Sequence, residues 1–284
     1  MAFTYDQMMS YQVPTVEQTL TPDDCILYAL SIGVGADPTD ERQLRFVYED
    51  DLVALPMIAN VLAYPGFWVK DPATGVDWAK VLHGEQALTI HKPIPTSATL
   101  VGTTTVKGIA DKGEKGAFMY SERVVVDKAT GEKLCTLEQT SVMRGNGGCG
   151  GEDAPPRVLP KPPMREPDEV CELPVLPQAA LIYRLNGDRN PLHADPKVAA
   201  SAGFKQPILH GLCTLAVAGH ALLRTLCGYD PTRLTHMALR FTSPVYPGET
   251  LRTEMWREDG SIAFRTKVVE RDVVVLGNGV AEVA

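Results

Sequence analysis

Apolar and polar positions alternate along two blocks of this chain, and the two blocks repeat one another. The period-two pattern predicts strands at about 85–92, 99–109, 116–127 and 133–143, and again at about 236–243, 250–258, 261–269 and 273–283. It is clearest in Glu122-Arg123-Val124-Val125-Val126 and in Phe264-Arg265-Thr266-Lys267-Val268-Val269. Asp127-Lys128-Ala129-Thr130-Gly131-Glu132 has the composition of a hairpin turn. Ahead of each block a proline opens an apolar run. Pro56 precedes Met57-Ile58-Ala59-Asn60-Val61-Leu62, and Pro207 precedes Ile208-Leu209-His210-Gly211-Leu212-Cys213. Each run is expected to continue as a helix of some length.

The blocks align residue by residue. Ala87-Leu88-Thr89-Ile90-His91-Lys92-Pro93-Ile94 corresponds to Ala238-Leu239-Arg240-Phe241-Thr242-Ser243-Pro244-Val245, and Thr99-Leu100 to Thr250-Leu251. The offset is 151 throughout (238 − 87), and Pro56 and Pro207 share it. Upstream, Leu27-Tyr28-Ala29-Leu30 corresponds to Ile182-Tyr183-Arg184-Leu185 at an offset of 155, so the first half carries a four-residue insertion. Antiparallel strands following an apolar helix predict an α+β unit, a sheet wrapped round that helix, present twice. The halves are read as residues 1–144 and 176–284, joined by 145–175. In that joint Gly145–Gly151 is flexible. The stretch from Pro155 to Pro174 is proline-rich, so an extended surface linker is expected. The glycines lack the Lys-Ser/Thr of a phosphate loop.

Composition narrows the classes. With 284 residues, 44% of them hydrophobic, the chain can build one large or two ordinary globular domains. No apolar run reaches the length of a membrane span. Met-Ala-Phe-Thr-Tyr-Asp lacks the pattern of a secretory leader, and Ala-Glu-Val-Ala is not a Ser-Lys-Leu address, so a cytoplasmic protein is expected, with a peroxisomal one the alternative for a eukaryotic source. Six cysteines without zinc spacing read as free thiols in a reducing compartment. A net charge of −8 argues against nucleic acid as partner.

The chemistry concentrates in Asn186-Gly187-Asp188-Arg189-Asn190-Pro191-Leu192-His193, followed by His210-Gly211-Leu212. An acid and an imidazole on one loop can form a proton-transfer pair. A glycine at a helix entrance leaves its N–H free for an anion or a polarised carbonyl. Taken singly, Asp188 and Asn190 could be turn and cap residues, and His193 could be structural. His210 either adds a third base, packs at the helix start or hydrogen-bonds the loop. Asp188, His193 and His210 match no standard metal spacing, so no metal is expected. The first half lacks these groups. Gly33, Gly35 and Pro38 stand opposite Asp188, Asn190 and His193, and Ala59 and Asn60 opposite His210 and Gly211. That half is expected to complete the core and hold a ligand tail, with Ala59 and Ala63 leaving room for it.

At these residues the chain resembles the hydratase 2 family, the MaoC-like (R)-specific enoyl-CoA hydratases. Their pattern is Asn-Gly-Asp-x-Asn-Pro-x-His, a spacer, then His-Gly. The resemblance implies two tandem hot-dog folds and reversible hydration of a trans-2-enoyl-CoA to the (3R)-3-hydroxyacyl-CoA. It implies that Asp188 and His193 are catalytic, that Asn190 holds the water or Asp188, and that the Gly211 N–H polarises the thioester carbonyl. It implies no cofactor beyond the coenzyme A of the substrate, and a homodimer. Arg184, Arg189, Lys197, Lys205, His210 and Arg240 flank the motif and are candidates for substrate binding. A hot-dog thioesterase and a non-enzymatic acyl-CoA-binding module are the alternatives. The absence of a carboxylate between Ile208 and Leu223 counts against the thioesterase.

Overall fold

The computed structural model describes residues 3–153 and 158–284. The first half contains α1 (Tyr5–Ser10), β1 (Val16–Leu20), α2 (Pro22–Ser31), α3 (Glu41–Leu44), β2 (Val81–Ile90), β3 (Ala98–Asp111), β4 (Ala117–Asp127) and β5 (Lys133–Met143). Two joining strands follow, β6 (Glu152–Asp153) and β7 (Glu169–Pro174). The second half contains α4 (Ala179–Tyr183), α5 (Pro196–Ser201), α6 (Gly211–Leu226), β8 (Leu234–Phe241), β9 (Thr250–Glu258), β10 (Ser261–Val268) and β11 (Val273–Val283). The strands form one 11-stranded sheet in the order β1-β3-β4-β5-β2-β8-β11-β10-β9-β7, with β6 beside β3.

That order reads the same from either edge once equivalent strands of the repeat are matched. The axis falls between β2 and β8, where Ala87 lies directly opposite Ala238. These two alanines occupy the same place in the repeat, so a local twofold passes through the pair. The linker crosses there. Leu159 packs on Ala87, Ala238 and Val280 on the outer face of the sheet, and the Asn278 side chain donates to the Leu159 carbonyl at 3.2 Å.

The stretch expected to run over the surface, 145–175, ends differently. Residues 169–174 form β7, which pairs with the edge of β9. Val170, Cys171, Glu172 and Leu173 alternate outward and inward, and the prolines around them masked that pattern. Pro155 and Pro156 of the same stretch lie outside the described residues.

In the second half α6 is buried for most of its 16 residues and fills the concave face of β8 to β11. Gly219 lies mid-helix because a Cβ there would come within 2.6 Å of Met57. The expected helix start shifts by three residues. Pro207 to His210 stay extended, and the Leu209 N–H donates to the Val245 carbonyl at 2.8 Å instead of entering the helix.

The first half departs from its repeat at this point. The run after Pro56 winds into a six-residue 3-10 turn, Pro56–Val61, and stops. Ala63 follows with φ of 43°, then Tyr64-Pro65-Gly66. Pro65 disfavours a helical conformation at Tyr64 and would collide with the carbonyl one turn back. No proline interrupts Gly211 to Leu226. One long helix therefore covers the second half of the sheet and meets the first half at the Pro56–Val61 turn, and the concave face of the first half is left partly open.

Candidate active site

Local hydrogen bonds shape the motif loop. The Asn186 amide donates to the Tyr183 carbonyl at 3.0 Å and to the Ser31 hydroxyl at 3.2 Å, tying the loop to α2 of the other half. The Asp188 carboxylate accepts the Asn190 N–H at 3.2 Å. The Asn190 side chain accepts the Leu192 N–H at 3.1 Å and caps a 3-10 turn, Pro191–His193. That turn carries His193 inward, to 9% exposure.

The His193 Nδ1 lies 2.9 Å from the Ile208 carbonyl, which accepts only, so Nδ1 carries the proton and Nε2 a lone pair. By the same reasoning His210 Nε2 donates to the Asp188 backbone carbonyl at 3.1 Å. The two rings stack, centroids 3.8 Å apart and planes 27° from parallel. Asp188, His193 and His210 each bring one ligand-type atom within 4.8 Å of the others. Zinc requires in-plane nitrogen lone pairs aimed at one point about 2.0–2.1 Å away. Stacked rings aim theirs side by side, so the cluster suits proton transfer better than an ion.

Burial keeps these imidazoles neutral. It lowers the His193 pKa from 6.5, and it lowers His210, with His193 as a further cause. Burial also lowers His83 and His220 to about 4. A histidine depressed on folding contributes stability above its unfolded pKa of 6.5 and loses it as pH falls toward the folded value. The melting temperature is therefore expected to hold near neutrality and to drop steeply from pH 6.5 toward 4. Replacing His220 by glutamine should blunt that drop in a thermal melt; an unaltered acid limb would remove His220 from the explanation.

Gly211 opens α6 directly behind the two rings. His210 precedes it as an N-cap that makes no side-chain cap bond, so the first-turn N–H groups keep their capacity to bind an oxygen. A Cβ on Gly211 would come within 3.2 Å of the Phe241 ring.

These groups border a cavity of about 280 Å³. Asp188, Asn190, His193 and Gly211 line one side, and Asn60, Tyr64, His83, Gln86 and Arg123 of the first half line the other. The structure thus brings together all four residues expected to be catalytic. His210 is 1% exposed, is not among the residues lining the cavity, and holds the loop through its bond to the Asp188 carbonyl.

The expected basic patch divides. Arg189 and Lys197 are exposed on the motif loop and α5, Lys205 lies over the Tyr246 ring at 4.5 Å, and Arg184 is half-buried with its Nε unpartnered. None of them lines the cavity. Arg240 is not part of this site. It alternates with Phe241 along β8 and so points to the opposite face, where it holds Glu85 through two bonds of 2.6 and 2.9 Å. Ala59 and Ala63 also need correction. Both are buried and neither lines the cavity, because the segment that carries them turns its Asn60 and Tyr64 to that side.

His83, Gln86, Tyr64 and Arg123 escaped the sequence reading. His83 Nε2 lies 3.0 Å from the Gln86 side chain, and its ring stands edge-on to Phe241 at 4.7 Å. Strand parity carried a signal for Gln86, two residues from the inward-facing Leu88.

Residues 19–145 match the MFE-2 hydratase 2 N-terminal domain, and residues 158–278 match the MaoC like domain. Similar curated proteins include the peroxisomal enoyl-CoA hydratase 2 of Arabidopsis thaliana, 38% identical over 96% of this chain and 94% of the plant protein. The 3-hydroxyacyl-thioester dehydratase Y of Mycobacterium tuberculosis is 41% identical over 92% of each. The crystal structure of a MaoC-like dehydratase from Phytophthora capsici superposes with a TM-score of 0.87, at 34% identity and 98% coverage of both chains. One continuous antiparallel sheet made of two repeats, with a single Asp–His loop, defines a double hot-dog protein built for thioester chemistry. The chain belongs to the MaoC-like hydratase 2 family.

Proposed function

We propose that the protein reversibly adds water across C2=C3 of a trans-2-enoyl-CoA to give the (3R)-3-hydroxyacyl-CoA. The observation that carries this reading is the meeting of Asp188, His193 and the α6 N-terminus on one cavity. Similarity to an enoyl-CoA hydratase and a 3-hydroxyacyl-thioester dehydratase supports it. Water between the Asp188 carboxylate and His193 Nε2 loses a proton to this pair while its oxygen bonds to C3. The electrons of the double bond move toward the thioester oxygen, which the Gly211 N–H stabilises, and the abstracted proton is delivered to C2. A donor of this kind contributes roughly 3–4 kcal/mol in comparable sites. Asn190 steadies Asp188 through its backbone N–H. The steps call only on acid–base groups and dipoles of the chain, with coenzyme A entering as part of the substrate.

A thioesterase on this fold would need a carboxylate placed for hydrolysis, and α6 has none. Among the described residues no helix is long and apolar enough to cross a membrane. Six unpaired thiols support a reducing compartment such as the cytoplasm, and the family resemblance supports a homodimer acting on acyl-CoA. Crotonyl-CoA and a longer trans-2-enoyl-CoA, followed by enoyl-thioester absorbance and by thiol release, test the reading. Absorbance should fall without free thiol. Thiol release would make the protein a thioesterase, and no change in either signal would sink the proposal.

A further inference from the structure

The register of the two half-sheets allows the walls of the repeat to be compared position by position. In the first half Gln86 pairs with Gln139, Gln139 with Ser121, and Arg123 with Thr104. In the second half Met237 pairs with Ala281, Ala281 with Ile262, and Phe264 with Met255. The sets are equivalent, since Gln86 and Met237 lie 151 apart (237 − 86), as do Thr104 and Met255 (255 − 104). All five positions of the second half are apolar, buried and packed beneath α6 or its neighbours. All five of the first half are polar and line the cavity. A wall meant only for an alkyl chain would keep the apolar set.

Arg123 dominates this wall. It is 8% exposed and, among the described residues, no carboxylate pairs with it. One guanidinium nitrogen donates to the Asn60 carbonyl at 2.7 Å, the Nε has no partner, and the group lies 5.2 Å from the centre of the Tyr64 ring. Arginine does not discharge in proteins, so the buried cation keeps a standing demand for an anion. Its fork matches a carboxylate with two parallel bonds.

We infer that the cavity selects acyl groups bearing a carboxylate beyond the reacting double bond, with Arg123 as the group that receives it. Substrates of this class are ω-carboxy trans-2-enoyl-CoAs, the half-thioesters of unsaturated dicarboxylic acids. Thr104 and Ser121 flank Arg123 on the same wall and add hydroxyl donors for such a ligand. The inference rests on the hydratase reading above. It implies that an oxidation at the far end of the chain supplies the substrate.

The test compares kcat/KM for paired substrates: trans-2-hexenoyl- and hexenedioyl-CoA, then the octenoyl and decenoyl pairs. At the chain length that reaches Arg123, the carboxylated member should be preferred by about 10–100-fold, the range of a hydrogen bond to a charged group. Arg123→Met should invert that preference in favour of the unsubstituted chain. If the variant does not fold, the wild-type series decides alone, with Arg123→Gln as a second variant. Hydration of the unsubstituted enoyl-CoAs with no preference at any length overturns this inference and leaves the hydratase reading intact. So does a preference that survives in Arg123→Met. Failure to hydrate any of them removes both.

Discussion

Asp188→Asn should lower kcat for hydration by about 10²–10⁴-fold, the usual contribution of a positioned acid–base group. Asparagine keeps the size of the side chain and can still accept the Asn190 N–H that shapes the loop. It loses the charge and the capacity to take a proton from water. His193→Gln removes the second member of the pair and should cost a similar factor. Because the two act on one water, the double variant should be no slower than about the worse single variant, in the manner of residues that function as a unit. Asp188 is half-buried at the cavity wall, so the melting temperature of Asp188→Asn should stay close to that of the wild type. Initial rates by enoyl-thioester absorbance, with a thermal melt on the same samples, check this. A rate within tenfold of wild type in either single variant would move the chemistry elsewhere.

The site was legible where function depends on residues close together in sequence. Asn186 to His193 is one loop, and its turn-forming asparagines and proline build their own hydrogen bonds. Gly211 was legible because a helix must begin after Pro207, although Leu209 delays that start by pairing with Val245. The fold was legible through the repeat, since two copies of one pattern constrain each other. The opposite wall was not. Glu122 and Arg123 are adjacent polar residues in an apolar strand, and alternation alone cannot say which faces inward. Only the register that sets Arg123 beside Thr104 and Leu137 decides it. The helix expected after Pro56 failed for a related reason. A six-residue apolar run fits a turn as well as a helix, and Pro65 and Gly66, which end it, lie just past the run. Arg240 misled because a cation near a motif in sequence points outward when it sits on the wrong parity of a strand.

Phe264→Ala should cost about 3–5 kcal/mol of stability, the range for removing a fully buried aromatic ring. Phe264 is 0% exposed and stands opposite Met255 on the floor beneath α6. Gly279 lies across from it in β11 without a side chain, and a Cβ there would come within 2.6 Å of the ring. Deleting the ring therefore leaves space beside a position that has no side chain to fill it. Arg123 occupies the same place in the first half, and Arg123→Met should leave stability unchanged or raise it, since a buried cation without a carboxylate partner is removed. Urea titrations of both variants, followed by far-UV circular dichroism, check the contrast. A small loss for Phe264→Ala together with a large one for Arg123→Met would mean that the first-half wall, not the sheet under α6, holds the fold together. The expected order would mean that the repeat kept its packing where the helix remained and gave it up where the ligand enters.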